Sequence, residues 1–176
     1  MIPLQFALRR RMMMAGGGGG APISELPLGT LINVGTDGGA GTPNYEIADK
    51  DNLVSGGVGL VRKNIYSSSK FGEYSFYANS TLDNLVKTTI YNRMPQKLRN
   101  KMMDVTFALA GSESVTRKMF VPTLTMMSGR ANKTYEGKVA WEGVGLQLYT
   151  NDASRIRTKN GYGEEWWLSS QYSTGG

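Results

Sequence analysis

The stretch Ser80–Ile90, STLDNLVKTTI, carries the clearest helix signal in the chain, and the segments around it decide the fold class. Ser80 is a favoured N-cap residue, and Asp83 in the first turn suits the positive end of a helix. Apolar residues then recur at helical spacing and form one face, which consists of Leu82, Leu85, Val86 and Ile90. Pro95 fits the first turn of a second helix.

Short apolar segments on both sides of these helices predict β-strands. They are Leu31–Val34, Tyr45–Ala48, Val58–Arg62, Val105–Ala110, Val115–Thr125 and Trp166–Ser170. Helices inserted between short strands indicate an α+β fold with a mainly antiparallel sheet. A chain of 176 residues is long enough to form one domain with a substantial core.

The composition excludes most familiar kinds of active site. The chain has no cysteine and no histidine, which excludes thiolate metal sites, cysteine nucleophiles and the Ser-His-Asp triad. Asp49 and Asp51 alternate as at the start of a calcium loop, but Val54 and Leu60 occupy the positions that need glycine and glutamate. We therefore predict a protein that is not an enzyme and needs no metal or cofactor.

The N-terminal residues 1–22 differ in composition from the compact domain that we expect over residues 23–176. Met1–Met14 is apolar and then basic, and the consecutive glycines Gly16–Gly20 predict a flexible tether behind it. Because exposed apolar side chains are unfavourable without a partner, we expect this peptide to be an anchor that docks on another protein. A frayed terminus without a role is the alternative. The predicted anchor residues are Leu4, Phe6, Leu8, Arg9, Arg10 and Arg11.

The segment Asn64–Ser80 is rich in aromatic residues among serines, glycine and asparagines. Antibody contact loops share this composition, because rigid aromatics supply contact area and small polar residues supply adaptable hydrogen bonds. The alternative is that these aromatics cover the core. The predicted ligand-binding or interface residues, with two tryptophans near the C-terminus added, are Tyr66, Phe71, Tyr74, Tyr77, Trp166 and Trp167.

The formal net charge is +6, and Arg9–Arg11 supply three of these charges. Further basic groups occur at Lys97–Lys101, Arg117–Lys118 and Arg155–Lys159. Such groups are typical of a solvated surface, and no recognisable nucleic-acid motif accompanies them. Nucleic-acid binding is therefore only an alternative. No apolar run approaches the ~20 residues that span a bilayer, so we expect no membrane insertion.

Four segments resemble an uncharacterised domain family that is common in Gram-positive gut bacteria and their phages. They are STLDNLVKTTI, VTRKMFV (Val115–Val121), NDASRIR (Asn151–Arg157) and WWLSS (Trp166–Ser170), and the last is similar to the family's WWLRSP-type motif without its arginine and proline. The resemblance covers about Leu26 to Tyr172. It implies a C-type-lectin-like or formylglycine-generating-enzyme-like fold, which is a twisted antiparallel sheet with two inserted helices and long loops. It implies no catalytic residues.

The opening MIPLQFALRRRMMM also resembles the start of phage structural proteins that carry this domain. The resemblance implies a virion protein on the particle surface that displays a lectin-like domain for host attachment at the tail tip or baseplate. Its expected partners are other virion proteins, further copies of itself, and a glycan or protein of the host surface. An architectural role as a capsid decoration or neck protein is the alternative. Relatives continue past the tryptophans to a closing strand, so we expect an open sheet edge that a neighbour can fill.

Overall fold

Short strands and helices alternate along the chain in the computed structural model, which describes residues 2–11, 21–67, 77–109, 112–133, 139–151, 155, 158–159 and 162–163. The first half contains β1 (Gln5–Arg9), a 3₁₀ turn (Ile23–Glu25), β2 (Leu31–Asn33), β3 (Asn44–Lys50) and β4 (Gly57–Arg62). The helical part contains α1 (Thr81–Asn84), a π-helical stretch (Leu85–Ile90), α2 (Tyr91–Arg93) and α3 (Gln96–Arg99). The remaining elements are β5 (Val105–Leu109), β6 (Ser112–Arg117), β7 (Met119–Phe120), α4 (Leu124–Ser128), β8 (Asn132–Lys133), β9 (Val139–Ala140), β10 (Thr158–Lys159) and β11 (Tyr162–Gly163).

A five-stranded sheet with the order β2-β3-β4-β1-β7 forms the centre of the protein, and its neighbouring strands are antiparallel. β5 and β6 form a separate hairpin. The predicted α+β class with antiparallel sheets is confirmed. Among the described residues, no helix has the length and apolar character that crossing a membrane requires.

The N-terminal strand β1 lies inside the central sheet, where it pairs with β4 on one side and β7 on the other. Leu4, Phe6 and Leu8 have no solvent exposure. This corrects the predicted anchor, because side chains in the domain's own core cannot dock on another protein. It also corrects the division at residues 22 and 23, since β1 belongs to the same sheet as β2, β3 and β4. A short apolar run is equally compatible with a strand buried on both faces, and that is the structure it adopts here.

Both faces of the central sheet are covered by side chains. Phe6 shares one face with Leu60, its partner in β4, and its ring centroid lies 4.9 Å from that of Tyr45. Phe120 pairs with Gln5 and therefore lies on the opposite face, where its ring centroid is 4.7 Å from that of Phe107 in β5. Alternate residues of a strand point to opposite faces, so β1 contributes to the packing on both sides.

The predicted helix start at Ser80 is confirmed, because the Ser80 hydroxyl accepts a hydrogen bond of 3.0 Å from the Asp83 N–H. Leu82, Val86 and Ile90 form its fully buried face. The second predicted helix is also present, with Pro95 as the N-cap of α3. The sequence pattern did not indicate the π-helical stretch between α1 and α2, because apolar spacing barely distinguishes an α-helix from a single wider turn.

The strand predicted over Val115–Thr125 is wrong at its C-terminal end. The chain leaves the sheet after β7, and α4 begins directly behind Thr123. The Thr123 hydroxyl accepts a hydrogen bond of 3.1 Å from the Met126 N–H, as an N-cap does. Pro122 precedes this cap and has no N–H to donate to a sheet. The predicted strand Trp166–Ser170 lies outside the described residues.

Candidate functional site

The most deeply buried charged pair among the described residues joins Arg62, at the end of β4, to Asp37 in the glycine-rich loop between β2 and β3. The Arg62 Nε lies 2.7 Å from the Asp37 Oδ2, and the two side chains are 0% and 1% exposed. The other guanidinium N–H groups are directed to the Asp37 Oδ1 and to the carbonyl oxygens of Ala40, Asn64 and Ile65. A guanidinium has five N–H donors, and all of them have acceptors here.

Two tyrosines complete this buried network. The Tyr45 hydroxyl donates to the Asp37 Oδ2 at 3.0 Å, and the Tyr66 hydroxyl donates to the Asp37 carbonyl at 3.1 Å. Burial, followed by the neighbouring Asp37 charge, raises the pKa of Tyr45, so its phenol remains a hydrogen-bond donor. A Cβ at Gly39 would lie 2.4 Å from the Tyr66 ring, which explains the glycine at this close approach. The network fixes the loop and leaves no acid or base facing solvent.

A second charged cluster fixes the start of the helical segment. The Asp83 carboxylate accepts hydrogen bonds of 2.8 and 2.7 Å from Arg117 Nε and Nη2 in β6, and 2.9 Å from the Asn79 N–H. Lys87 lies 3.3 Å away. Burial raises the pKa of Asp83, but the hydrogen bonds from Arg117 and Asn79 outweigh it and the resulting pKa is lowered. The carboxylate is therefore held charged as a structural tie between α1 and β6.

Two of the predicted ligand-binding or interface residues, Tyr66 and Tyr77, lie in the core. Tyr66 and Tyr77 are 3% and 2% exposed. The Tyr77 hydroxyl accepts a hydrogen bond of 3.1 Å from the Val121 N–H, beyond the end of β7. This corrects the prediction for both residues, because they support the fold and cannot contact a ligand. The other predicted residues, Phe71, Tyr74, Trp166 and Trp167, lie outside the described residues.

The predicted basic groups separate into structural and exposed members. Arg117 and Lys118 are adjacent in sequence, but Arg117 is directed to Asp83 and Lys118 to Asp104 at 3.2 Å. Arg99 donates to the Met94 carbonyl, and Arg155 donates to the carbonyls of Ser128 and Tyr149. Four of these cations therefore have acceptors within the protein, whereas Lys97 and Lys101 are exposed.

An open, cationic groove of about 550 Å³ lies at the end of β1. Its lining residues come from the end of β1 and the two residues behind it, from the turn before β4, from the segment between α3 and β5, and from the position between β6 and β7. We call it the arginine groove. It is lined by Arg9, Arg10, Arg11, Gly56, Met102, Met103, Asp104 and Lys118.

Backbone hydrogen bonds on two sides hold the arginines in this position. The Arg9 N–H donates to the Lys101 carbonyl at 3.3 Å, and the Arg10 N–H donates to the Gly56 carbonyl at 3.1 Å. Arg9, Arg10 and Arg11 are themselves exposed. Of the predicted anchor, the basic half is therefore on the surface while the apolar half is buried. The sequence could not show that Lys118 and Met103, about a hundred residues away, join the arginines.

Trp141 is an exposed aromatic residue that is not among the predicted ligand-binding residues. It is 63% exposed. The next residue is held on α4, because the Glu142 N–H donates to the Thr125 hydroxyl at 3.0 Å and the Glu142 carbonyl accepts from the Thr123 hydroxyl at 2.5 Å. A lone tryptophan within a polar, glycine-rich stretch is the signal that could have identified it. The described residues contain no group of three Asp, Glu, His or Cys that could hold a metal ion.

Comparison with known proteins gives a family but no characterised relative. No curated protein and no solved structure matches the chain. A family model described as a domain of unknown function, DUF6273, matches residues 55–175. The match includes β4, the helices α1 to α4 and Trp141, and it begins after β1, β2 and β3. Since the matched region is more than half of the chain, the protein belongs to the DUF6273 family.

Proposed function

We propose that this chain is a non-enzymatic structural protein of a phage particle, attached to its neighbours through the arginine groove. The groove carries this proposal because it combines an open cavity with exposed arginines, and the backbone of Arg9 and Arg10 is hydrogen-bonded to neighbouring segments. The buried charges Asp37, Arg62 and Asp83 are instead hydrogen-bonded within the protein. The resemblance of the N-terminal segment to phage structural proteins supports the assignment to a virion.

The proposal includes a C-type-lectin-like fold for the domain. A central antiparallel sheet, helical segments inserted between its strands and long connections are compatible with that architecture. Folds of this kind display binding residues on loops around a sheet that holds them in place. Trp141 is exposed on such a connection, which directly follows β9 of the separate two-stranded sheet β8-β9.

Host-surface attachment is the role that we propose for the displayed domain. Tryptophan is enriched among the residues that dominate binding energies. The hydrogen bonds of Glu142 to Thr123 and Thr125 hold the backbone beside Trp141 before any partner binds. Such preorganisation lowers the entropic cost of association. Trp141 therefore replaces Tyr66 and Tyr77 as the described aromatic residue proposed to contact the host.

Immunogold labelling of purified phage particles, with an antibody against the folded domain, tests this proposal. Label at the tail tip or baseplate supports host attachment. Label over the head or neck instead overturns host attachment and supports an architectural role. Intact particles without label contradict the virion assignment.

Particles that carry Arg9→Gln with Arg11→Gln should lose the label. Arg130→Gln particles should keep it, because the exposed Arg130 does not line the groove.

A further inference from the structure

The cations of the arginine groove differ in whether they already have acidic partners. Arg10 lies 3.1 Å from Asp51, and Lys118 lies 3.2 Å from Asp104. Arg9 and Arg11 are exposed and have no acidic partner within the part of the chain that the structure describes. Arg10 and Lys118 are therefore already paired with carboxylates of this protein. The guanidinium groups of Arg9 and Arg11 are available to a ligand. Planar guanidinium groups bind carboxylates through two parallel hydrogen bonds.

Apolar surface also lines the groove. Met102 is buried and Met103 is half-buried. Methionine thioethers adapt to irregular apolar partners. A Cβ built at Gly56 meets nothing within 4 Å, so the groove is open above this residue. A ligand that places an apolar side chain over the methionines would gain contact in addition to charge pairing.

The shape and composition of the groove favour a compact ligand over a nucleic acid. Asp104 lies 3.2 Å from Lys118 in the same lining, so its charge does not distinguish phosphates from carboxylates as ligands. Nucleic-acid grooves place cations along an extended track and stack bases on aromatic side chains. The lining contains no aromatic residue, and its volume of about 550 Å³ is that of a compact site.

We infer that the arginine groove binds a short acidic peptide segment that carries an apolar side chain, presented by a neighbouring protein. This inference rests on the proposed function, because it names the partner of the same groove. Two carboxylates of the segment pair with Arg9 and Arg11, and the apolar side chain lies against Met103. The segment contains acidic residues on both sides of the apolar one.

Fluorescence anisotropy of the full chain with a labelled Glu-Glu-Leu-Glu-Glu peptide tests the inference. We expect saturable binding that weakens at least tenfold when the glutamates are replaced by glutamines. The Arg9→Gln, Arg11→Gln double variant should lose at least tenfold in affinity, whereas Arg130→Gln should bind as the wild type does. Thermal unfolding of each variant checks that the fold is retained.

Two results would overturn the inference. One is failure of the acidic peptide to bind at low salt, and the other is tighter binding of a labelled oligothymidylate than of the peptide. If immunogold labels the particle in an arginine-dependent way but the peptide fails, only the partner class is wrong. If the particles carry no label, the proposed function fails regardless of the peptide result.

Discussion

The Arg62 Nε lies 2.7 Å from the Asp37 Oδ2, between two side chains that are at most 1% exposed. This contact joins the end of β4 to a loop that lies 25 residues earlier in the chain. The remaining N–H groups of Arg62 are directed to the Asp37 Oδ1 and to three carbonyl oxygens, so hydrogen bonds within the protein replace the hydration of the guanidinium. Removing either partner would leave an uncompensated charge inside the protein.

We therefore expect Asp37→Ala to destabilise the protein by about 3–5 kcal/mol, as is usual when one partner of a buried pair is removed. Urea unfolding followed by circular dichroism would measure the change. Asp104→Ala is the control, because its ion pair with Lys118 is exposed and should contribute little. Equal losses for the two variants would contradict the central role of Asp37.

Replacing Gln5 should increase the stability of the protein. Its side chain is fully buried in β1, and neither its Oε1 nor its Nε2 has a hydrogen-bond partner among the residues that the structure describes. An unsatisfied buried polar group costs about 1–3 kcal/mol, so Gln5→Met should stabilise the protein by up to that amount. Chemical denaturation gives the free energy of unfolding. The control is Gln147→Met, which should destabilise, because Gln147 exchanges two hydrogen bonds with the Lys50 backbone.

The lowered pKa of Asp83 predicts how the stability of the protein depends on pH. Its pKa in the folded protein is lowered, despite burial, by hydrogen bonds from Arg117 and Asn79. A lowered folded pKa contributes stability above the ordinary aspartate pKa of about 3.9, and this contribution is lost as the pH falls through the folded pKa. Asp83→Asn should be less stable than the wild type at neutral pH and lose less stability on acidification. Thermal unfolding between neutral and strongly acidic pH measures both differences, and parallel curves would contradict the prediction.

Replacing Trp141 should weaken binding to the host without changing the stability of the fold. Because the side chain is largely exposed, Trp141→Ala should alter the free energy of unfolding by less than about 0.5 kcal/mol. Adsorption of particles carrying the variant to host cells should fall. Leu31→Ala is the control, since Leu31 is an exposed apolar residue, at 50%, on the sheet edge β2. Unchanged adsorption of particles with the Trp141 variant would contradict the proposal that Trp141 contacts the host.

Local signals in the sequence predicted the elements that local interactions determine. The helix at Ser80 follows from its cap and its apolar spacing, and β5 follows from its short apolar segment. The position of β1 depends instead on pairing with residues at least 48 positions away, which no local pattern reveals. The same apolar run was therefore equally compatible with an anchor peptide. For the candidate site, the exposed arginines were predictable, but their companions Met103 and Lys118 were not.

Because of β1, the region that matches the family differs from the region that forms the central sheet. The family match covers residues 55–175, yet the strand between β4 and β7 comes from Gln5–Arg9. Without that strand, the matched segment would leave β4 and β7 apart, each with an unpaired edge open to aggregation. Because residues from both ends of a long sequence interval must meet, the central sheet forms only after residue 120 is available. Expression of the family-matched region alone would omit the strand around which the sheet is assembled.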